Sequence, residues 1–129
     1  MNFLGIMNKA NSRTGSAGRT GEERASEFLR GRGLRLIQRN FNCRWGELDL
    51  VMKDGATLVI VEVRLRASAE FGQAYETVNY KKQQKIIRTT KYFQQQMNWW
   101  GDVRFDVVAV TPRSDGEYEI EHIQDAFGT

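Results

Sequence analysis

Two carboxylates and an arginine occur in a part of the chain that is otherwise strongly apolar. Asp49 lies in a segment of alternating apolar and charged residues, and Glu62 and Arg64 lie at the end of the run LVIVEVR. Charged side chains are rarely buried unless they are paired or used. With Asp54-Gly55 at the tip of a hairpin, Asp49 lies on the strand beside Glu62 and the two carboxylates approach each other closely. Because close carboxylates repel and a divalent cation relieves that repulsion, the pair predicts a site for Mg²⁺ or Mn²⁺.

The same acids also have a purely structural interpretation. Arg64, Arg66 or Arg104 would then neutralise them within a buried cluster of ion pairs. Arg104 alternates with Asp106 on one strand face, so these two either support the site or form an ordinary cross-strand pair. The residues alone leave both interpretations open.

The cysteine and histidine content of the chain excludes a zinc site. The chain has a single cysteine, Cys43, and a single histidine, His122, which cannot make the tetrahedral set that zinc requires. His122 stands among acidic residues and is predicted to be exposed. A lone cysteine forms no intramolecular disulfide, which is typical of a cytoplasmic protein. We also expect no signal peptide and no membrane span, because no apolar run is long enough.

Charge is distributed unevenly along the chain. Residues 1–46 carry nine Lys or Arg against three acids, whereas residues 114–129 carry five acids and no Lys or Arg. Such asymmetry indicates one surface that attracts a polyanion and another that is merely kept soluble. The charge is therefore compatible with nucleic acid as the partner, and the alternative is that it serves solubility alone.

Basic and aromatic residues are the candidates for contacts with that partner. Phosphates would bind to Arg66, Lys81, Lys85 and Arg88, although the helical members of this set also fit an ordinary solvated face. Tryptophan rings stack on exposed bases, pack in a core, or contact a second subunit of a homodimer. The chain has three of them, at Trp45, Trp99 and Trp100.

The length of 129 residues predicts one domain at residues 20–129 that follows a flexible basic tail at residues 1–19. The domain would begin with a helix at Thr20, because Thr20 and Glu23 have the spacing of a capping box. Glu22 would then lie in the first helical turn, where the helix dipole favours a carboxylate. Its role is therefore either structural or part of the acidic site.

The remaining pattern predicts strands at residues 34–37, 47–53, 58–63, 104–110 and 118–123. A long helix at residues 77–97 lies between the third and the fourth of these strands, and its apolar side would hold Ile86, Thr90, Phe93 and Met97. A strand, a helix and a further strand form a crossover, so the third and fourth strands are expected to be parallel. The last strand is predicted to return antiparallel at an edge of the sheet.

The order and spacing of five sequence blocks resemble the YraN family of uncharacterised bacterial proteins. The blocks are GEERASEFLRGRGLRLIQRNF, WGELDLV, VIVEVRLR, FGQAYETVNYKKQQKI and RFDVVAV, and the resemblance extends from Gly21 to Phe127. That family is similar to the PD-(D/E)xK phosphodiesterases, most closely to archaeal Holliday junction resolvases. The resemblance implies an α/β, restriction-endonuclease-like fold, which is a three-layer sandwich with a mixed central sheet flanked by helices.

The resemblance also implies roles for individual residues. Asp49 and Glu62 become ligands of Mg²⁺ or Mn²⁺, with the Val63 carbonyl as a third oxygen. Glu22 then completes the site directly or through water. The implied activity is endonucleolytic hydrolysis of phosphodiesters in structured or branched DNA.

One position departs from the superfamily motif. Arg64 stands where the motif has a lysine that positions or deprotonates the attacking water, and arginine cannot act as a base because its pKa exceeds about 12. Lys82 matches the lysine that opens the family's helical KQxxI block. A helical wheel places Lys82 on the packed side of the helix. Lys82 is therefore the candidate to replace the missing lysine in positioning or deprotonating the attacking water. The alternative is a nucleic-acid-binding adaptor that keeps the nuclease fold without turnover.

Overall fold

A computed structural model gives the structure of the protein and describes residues 15–67 and 78–128, with side chains from residue 20 onward. Its elements are α1 (Gly15–Gly31), β1 (Arg35–Cys43), β2 (Gly46–Asp54), β3 (Thr57–Leu65), α2 (Tyr80–Met97), β4 (Val103–Pro112) and β5 (Tyr118–Phe127). In this part of the chain the strands form one mixed sheet in the order β1-β2-β3-β4-β5. One helix packs on each face of the sheet. The predicted three-layer α/β sandwich is confirmed.

The sheet follows the predicted connections. Asp54 and Gly55 lie at the β2–β3 hairpin, where Gly55 takes a positive φ of 61° that a tight turn requires. β3 and β4 are parallel and are joined through α2, and β5 pairs antiparallel with β4 at an edge. β1 is longer than predicted. It continues through a register shift after Leu36 and a left-handed residue at Asn40, which the alternation pattern does not reveal.

The prediction for the start of the first helix is wrong. α1 begins at Gly15, so Thr20 lies inside the helix and does not cap it. Glu22 therefore lies outside the first turn, and the helix dipole does not explain it. It belongs instead to a buried stripe with Gly21, Ala25 and Leu29 that faces the sheet.

Two apolar clusters hold the three layers together. The cluster between α1 and the sheet includes Leu29, Val61 and Val108, and the cluster between α2 and the sheet includes Ile60, Phe93 and Val107. Alternation along a strand assigns successive residues to opposite clusters, which is why the LVIVEV run is apolar on both faces.

Helix α2 begins at Tyr80, later than predicted, because Asn79 is its N-cap and accepts a hydrogen bond of 2.8 Å from the backbone N–H of Lys82. The predicted start at Thr77 lies outside the described residues. Ile86, Thr90 and Phe93 are buried as expected, whereas Met97 in the last turn is exposed. Neither helix in the described part of the chain is long and apolar enough to span a bilayer.

Candidate metal centre and basic groove

The sheet splits between β2 and β3. Their pairing stops at Leu50 opposite Val61, although both strands continue beyond that pair. β2 stays paired with β1 to its first residue, and β3 stays paired with β4 to its last. Asp49 and Glu62 are the first residues beyond the last β2–β3 pair, so the two predicted carboxylates lie at the mouth of the split.

At this point the side chain of Asp49, instead of a backbone carbonyl of β2, accepts the hydrogen bond from β3. Its Oδ2 accepts a hydrogen bond of 2.8 Å from the backbone N–H of Val63, which in a continued ladder would bond to a carbonyl of β2. Leu48 and Val51 both pack in the α2-side cluster, so the alternation of β2 is interrupted at Asp49. Asp49 is only 3% exposed and is thereby fixed against β3.

Glu62 is buried beside this carboxylate and is 6% exposed. Burial, and then the charge of Asp49, raise the pKa of Glu62 from 4.5 to about 7, against the opposite influence of Lys82 and Arg64. The neighbouring cations therefore do not fully compensate the negative charge that the ionised pair would carry. Such an uncompensated acidic pair has the electrostatics of a site for a cation.

Two cations reach the same oxygen of Glu62. The Nη1 atom of Arg64 and the Nζ atom of Lys82 each lie 3.3 Å from Glu62 Oε2. Lys82 comes from the first turn of α2, and Arg64 shares the strand face of Glu62 two residues on. Of the arginines in the structural interpretation, Arg64 contacts Glu62, whereas Arg66 pairs with Glu121 and Arg104 with Asp106 and Asp54.

The oxygen atoms at the split are of the type that a magnesium-like ion prefers. In a strand the N–H and C=O of one residue point to the same edge, so the Val63 carbonyl points to the β2 side, as its N–H does. Mg²⁺ is commonly held by one or two carboxylates and keeps several waters. Within residues 15–67 and 78–128 no three Asp, Glu, His or Cys side chains converge as a metal site.

Glu22 lies on the α1 side of the sheet near the end of β3. Its neighbour Gly21 is close enough to β3 that an added Cβ atom would lie 3.4 Å from Leu65 Cδ1. Glu22 itself is 2% exposed. The structure thus brings the Glu22 backbone towards the end of β3 without assembling it with Asp49 and Glu62 into a three-ligand cluster.

A basic groove runs along α2 beside the acidic pair. It has a volume of about 640 Å³ and is lined by Arg44, Trp45, Lys81, Gln84, Lys85, Ile87, Arg88 and Lys91. Three of the four predicted phosphate contacts, Lys81, Lys85 and Arg88, therefore lie together. Arg66 does not lie with them, because its side chain is buried and pairs with Glu121 at 3.5 Å.

The three tryptophans have different environments. Trp45 lies in the basic groove, where the guanidinium carbons of Arg44 and Arg88 are 4.6 and 5.0 Å from its ring centroid. Trp99 packs against the α2-side cluster, and its indole N–H donates to the Asp102 carbonyl. Trp100 is 77% exposed. Only Trp45 of the three lines this groove.

A second charged centre, which we call the Asp106 network, lies on the α1 side of the sheet. Arg104 donates two hydrogen bonds to the Asp106 carboxylate, at 2.9 and 3.0 Å. His122 Nε2 lies 2.8 Å from the same carboxylate, and the Asp125 backbone N–H also donates to it. The prediction that His122 is exposed is wrong. Its side chain is 2% exposed, because β5 pairs with β4 and Phe28 of α1 packs edge-on against the imidazole ring.

This network is a structural cluster in which the Asp106 carboxylate is fully paired, although the buried His122 Nδ1 atom has no hydrogen-bond partner among the described residues. Burial alone raises the pKa of Asp106, but the hydrogen bonds from His122, Arg104 and the Asp125 backbone outweigh it and hold that pKa below its ordinary value. Of the two interpretations left open for Arg104 and Asp106, the structure therefore favours ordinary pairing. Sequence reasoning missed His122 because nothing local to its acidic segment signals a buried partner on β4.

Comparison with known proteins identifies relatives over most of the chain. Residues 21–110 match the model of the uncharacterised protein family UPF0102. A UPF0102 protein of Stutzerimonas stutzeri is 45% identical over 118 residues, which are 90% of this chain and 98% of the relative. Another from Pseudomonas syringae pv. tomato is 49% identical over 96 residues, or 73% of this chain and 75% of the relative. A third, from Herpetosiphon aurantiacus, is 42% identical over 83% of this chain and 90% of its own length.

Proposed function

The chain belongs to UPF0102, the YraN-like family, and we propose that it is a metal-dependent endonuclease that hydrolyses phosphodiesters in structured or branched DNA. One observation carries the proposal. Asp49 and Glu62 are buried together at the split of the sheet, and the pKa of Glu62 is raised to about 7 by burial and by Asp49. In the Asp106 network, by contrast, pairing holds the carboxylate ionised. A carboxylate pair left uncompensated in this way is suited to a divalent cation.

Asp49, Glu62 and the Val63 carbonyl would hold the cation, and the family resemblance adds Glu22, directly or through water, although Glu22 does not cluster with the other two acids. A bound Mg²⁺ or Mn²⁺ supplies Lewis-acid chemistry and neutralises charge on the scissile phosphate. The hydrogen bond from Val63 to Asp49 fixes the carboxylate before any ligand arrives, so little reorganisation is needed.

Lys82 and Arg64 divide the work that one lysine performs in the superfamily motif. Both reach Glu62 Oε2 at 3.3 Å, so both would also be near a phosphate bound through a cation on that carboxylate. Arg64 holds the phosphate and stabilises developing charge, because a guanidinium does not give up its proton. Lys82 orients the attacking water and takes part in its proton transfer.

The basic groove supplies the contacts that hold the rest of the substrate. Lys81, Lys85 and Arg88 recur along one face of α2, beside the helical turn that carries Lys82. No carboxylate lines this groove in the part of the chain that the structure describes. Such a face binds a phosphate backbone without regard to base sequence.

A second candidate function is supported by one specific observation. Arg64 contacts Glu62 and stands where the superfamily motif has a lysine. Because arginine does not give up its proton, it cannot act as a base at that position. The chain would then be a nucleic-acid-binding adaptor that keeps the fold and the basic groove without turnover. The two functions differ in whether the acidic pair is required for cleavage.

The test compares cleavage of labelled branched, duplex and single-stranded DNA in Mg²⁺ or Mn²⁺. We expect Asp49→Asn and Glu62→Gln each to lower the cleavage rate by about 100-fold or more, while the exposed-carboxylate control Glu27→Gln leaves it unchanged. Calorimetric titration of Mn²⁺ should show weaker binding in both site variants. Cleavage that survives in both variants refutes the proposal, and binding of DNA without turnover in either metal establishes the adaptor function.

A further inference from the structure

The basic groove contains a stacking platform as well as cations. Trp45 lies in the turn between β1 and β2, and the guanidinium groups of Arg44 and Arg88 lie over its ring. Nucleobases stack on indole rings and also on guanidinium planes. The three side chains together therefore offer flat surfaces of the kind that unpaired bases use.

The turn that carries Trp45 is held directly against α2. Gly46 follows Trp45 with a φ of 148°, and a Cβ atom added there would lie 2.9 Å from Thr89 Oγ1. A larger residue at this position would push the turn away from the helix. Gly46 thus brings Trp45 close to Lys85 and Arg88, which makes the groove a pre-formed feature of the fold.

The groove is continuous with the acidic centre. Lys85 lines the basic groove and also a smaller neighbouring groove of about 340 Å³. Lys82 lines that smaller groove too, and its Nζ atom lies 3.3 Å from Glu62. A strand lying along α2 would therefore pass from Trp45 to Lys82, the residue that contacts the acidic pair, over a surface on which Glu47 is the one carboxylate among the described lining residues.

We propose that the basic groove binds an unpaired strand of nucleic acid, with a base stacked on Trp45 in the place of the Arg44 guanidinium and the flanking phosphates on Lys85 and Arg88. This inference rests on the proposed function. Together with it, the groove would select substrates that contain an unpaired strand. Cleavage would then fall beside a single-stranded segment, as at a flap, a gap or an opened branch.

An unpaired strand fits this groove better than a duplex does. In a duplex the base faces are stacked on one another, so a protein that follows the backbone meets phosphates and groove edges. Cations alone would serve that purpose, and the aromatic ring would add nothing. A groove that interleaves cations with an aromatic platform is the arrangement by which single strands are bound without sequence preference.

The test measures binding in EDTA, where no metal-dependent turnover occurs, by fluorescence anisotropy of labelled oligothymidylate of about 20 nucleotides, which exceeds the site size of single-strand-binding folds. Oligouridylate and a duplex of the same length are run beside it. We expect Trp45→Ala to weaken single-strand binding by about 5- to 150-fold and Trp45→Phe to weaken it less. Trp100→Ala, which removes an exposed tryptophan outside the groove, is the matched control and should change nothing.

The outcomes separate this proposal from the proposed function. Loss of single-strand binding in Trp45→Ala, with duplex binding unchanged, supports the proposal that the groove binds an unpaired strand, whether or not the protein cleaves DNA. Comparison of oligothymidylate with oligouridylate shows whether the groove accepts a 2′-hydroxyl. Equal losses on single strand and duplex, or no loss at all in a variant that melts like the wild type, overturn the groove. Cleavage dependent on Asp49 would survive that result, and Trp45-dependent binding would survive the absence of cleavage.

Discussion

The acidic pair at the split and the Asp106 network both bury a carboxylate beside cations. Asp106 receives hydrogen bonds from Arg104, His122 and a backbone N–H, and pairing lowers its pKa despite complete burial. Glu62 contacts a lysine and an arginine at 3.3 Å, yet burial and a second carboxylate raise its pKa to about 7. Burial of a carboxylate beside cations thus shifts the pKa in opposite directions at the two centres, because Asp106 receives more well-placed hydrogen bonds than Glu62 does.

The difference is the basis for assigning a structural role to Asp106 and for proposing a functional one for Asp49 and Glu62. A carboxylate whose donors are all within the protein contributes to the stability of the fold and has little capacity left for a ligand. A carboxylate pair whose negative charge is only partly compensated is less stable when both groups are ionised, and it would gain most from a bound cation. Three substitutions test whether the two centres differ in this way.

The largest effect is expected for Asp106→Asn. The substitution removes the buried carboxylate that pairs with half-buried Arg104 and buried His122, so the free energy of unfolding at about pH 7 should fall by about 3–5 kcal/mol. Because the pKa of Asp106 is lowered in the fold, its contribution is present above the ordinary pKa of 3.8 and is lost as pH falls below it.

Urea denaturation across pH measures this loss. Asp115→Asn removes an exposed carboxylate that pairs with Arg113, and it should cost less than about 1 kcal/mol. Equal effects at the two positions would mean that the Asp106 network is not the stabilising centre described above.

A smaller effect of opposite sign is expected for Glu62→Gln in EDTA. The folded chain holds a proton on Glu62 up to about pH 7, whereas the unfolded chain releases it near pH 4.5, so this group's contribution to stability falls as pH rises between those values. Because glutamine does not ionise, the variant does not lose stability over this pH range. It should be more stable than the wild type by roughly 1–3 kcal/mol at about pH 8, and no different at about pH 4.

The same denaturation series, with Glu27→Gln as the control for an exposed carboxylate, measures the gain. A Glu62→Gln variant that is less stable than the wild type at about pH 8 would show that Glu62 is paired as completely as Asp106. The contrast between the two centres would then be wrong.

The smallest effect is expected for Asn79→Ala. Asn79 caps α2 by accepting from the backbone N–H of Lys82, so its loss should cost about 1 kcal/mol and let the turn that carries Lys82 fray. Thermal denaturation measures the cost, and Gln95→Ala at an exposed position of the same helix should be nearly neutral. If the cap also positions Lys82, the pKa of Glu62 in this variant rises, because one of the cations that lower it is displaced. An unchanged Glu62 titration, followed by NMR, would show that Lys82 does not need the cap.

Much of this architecture is predictable from local patterns. The Asp54-Gly55 turn and the apolar run before Glu62 predict a hairpin that ends in a buried strand, and the long helix after it predicts the parallel crossover. The placement of Lys82 near the acidic pair also follows from its angle on the helical wheel. These features depend on periodicity and turn chemistry, which are properties of short segments.

The features that could not be predicted depend on contacts distant in sequence. Thr20 has the residue type and spacing of a cap, yet α1 already begins at Gly15. His122 is buried because β4 and α1 cover it, and the acidic residues around it give no sign of that. The interruption at Asp49 is set by its bond to Val63 across the split, and the sequence of β2 reads as a regular strand.

The split between β2 and β3 also has a consequence for folding kinetics. The hairpin can close from its turn to the pair of Leu50 with Val61 without bringing Asp49 and Glu62 into register, since the ladder ends before them. Charge repulsion between the two carboxylates therefore arises only after the backbone pairs of the hairpin have formed. Substitutions at Glu62 should accordingly change the rate of unfolding and leave the rate of refolding nearly constant.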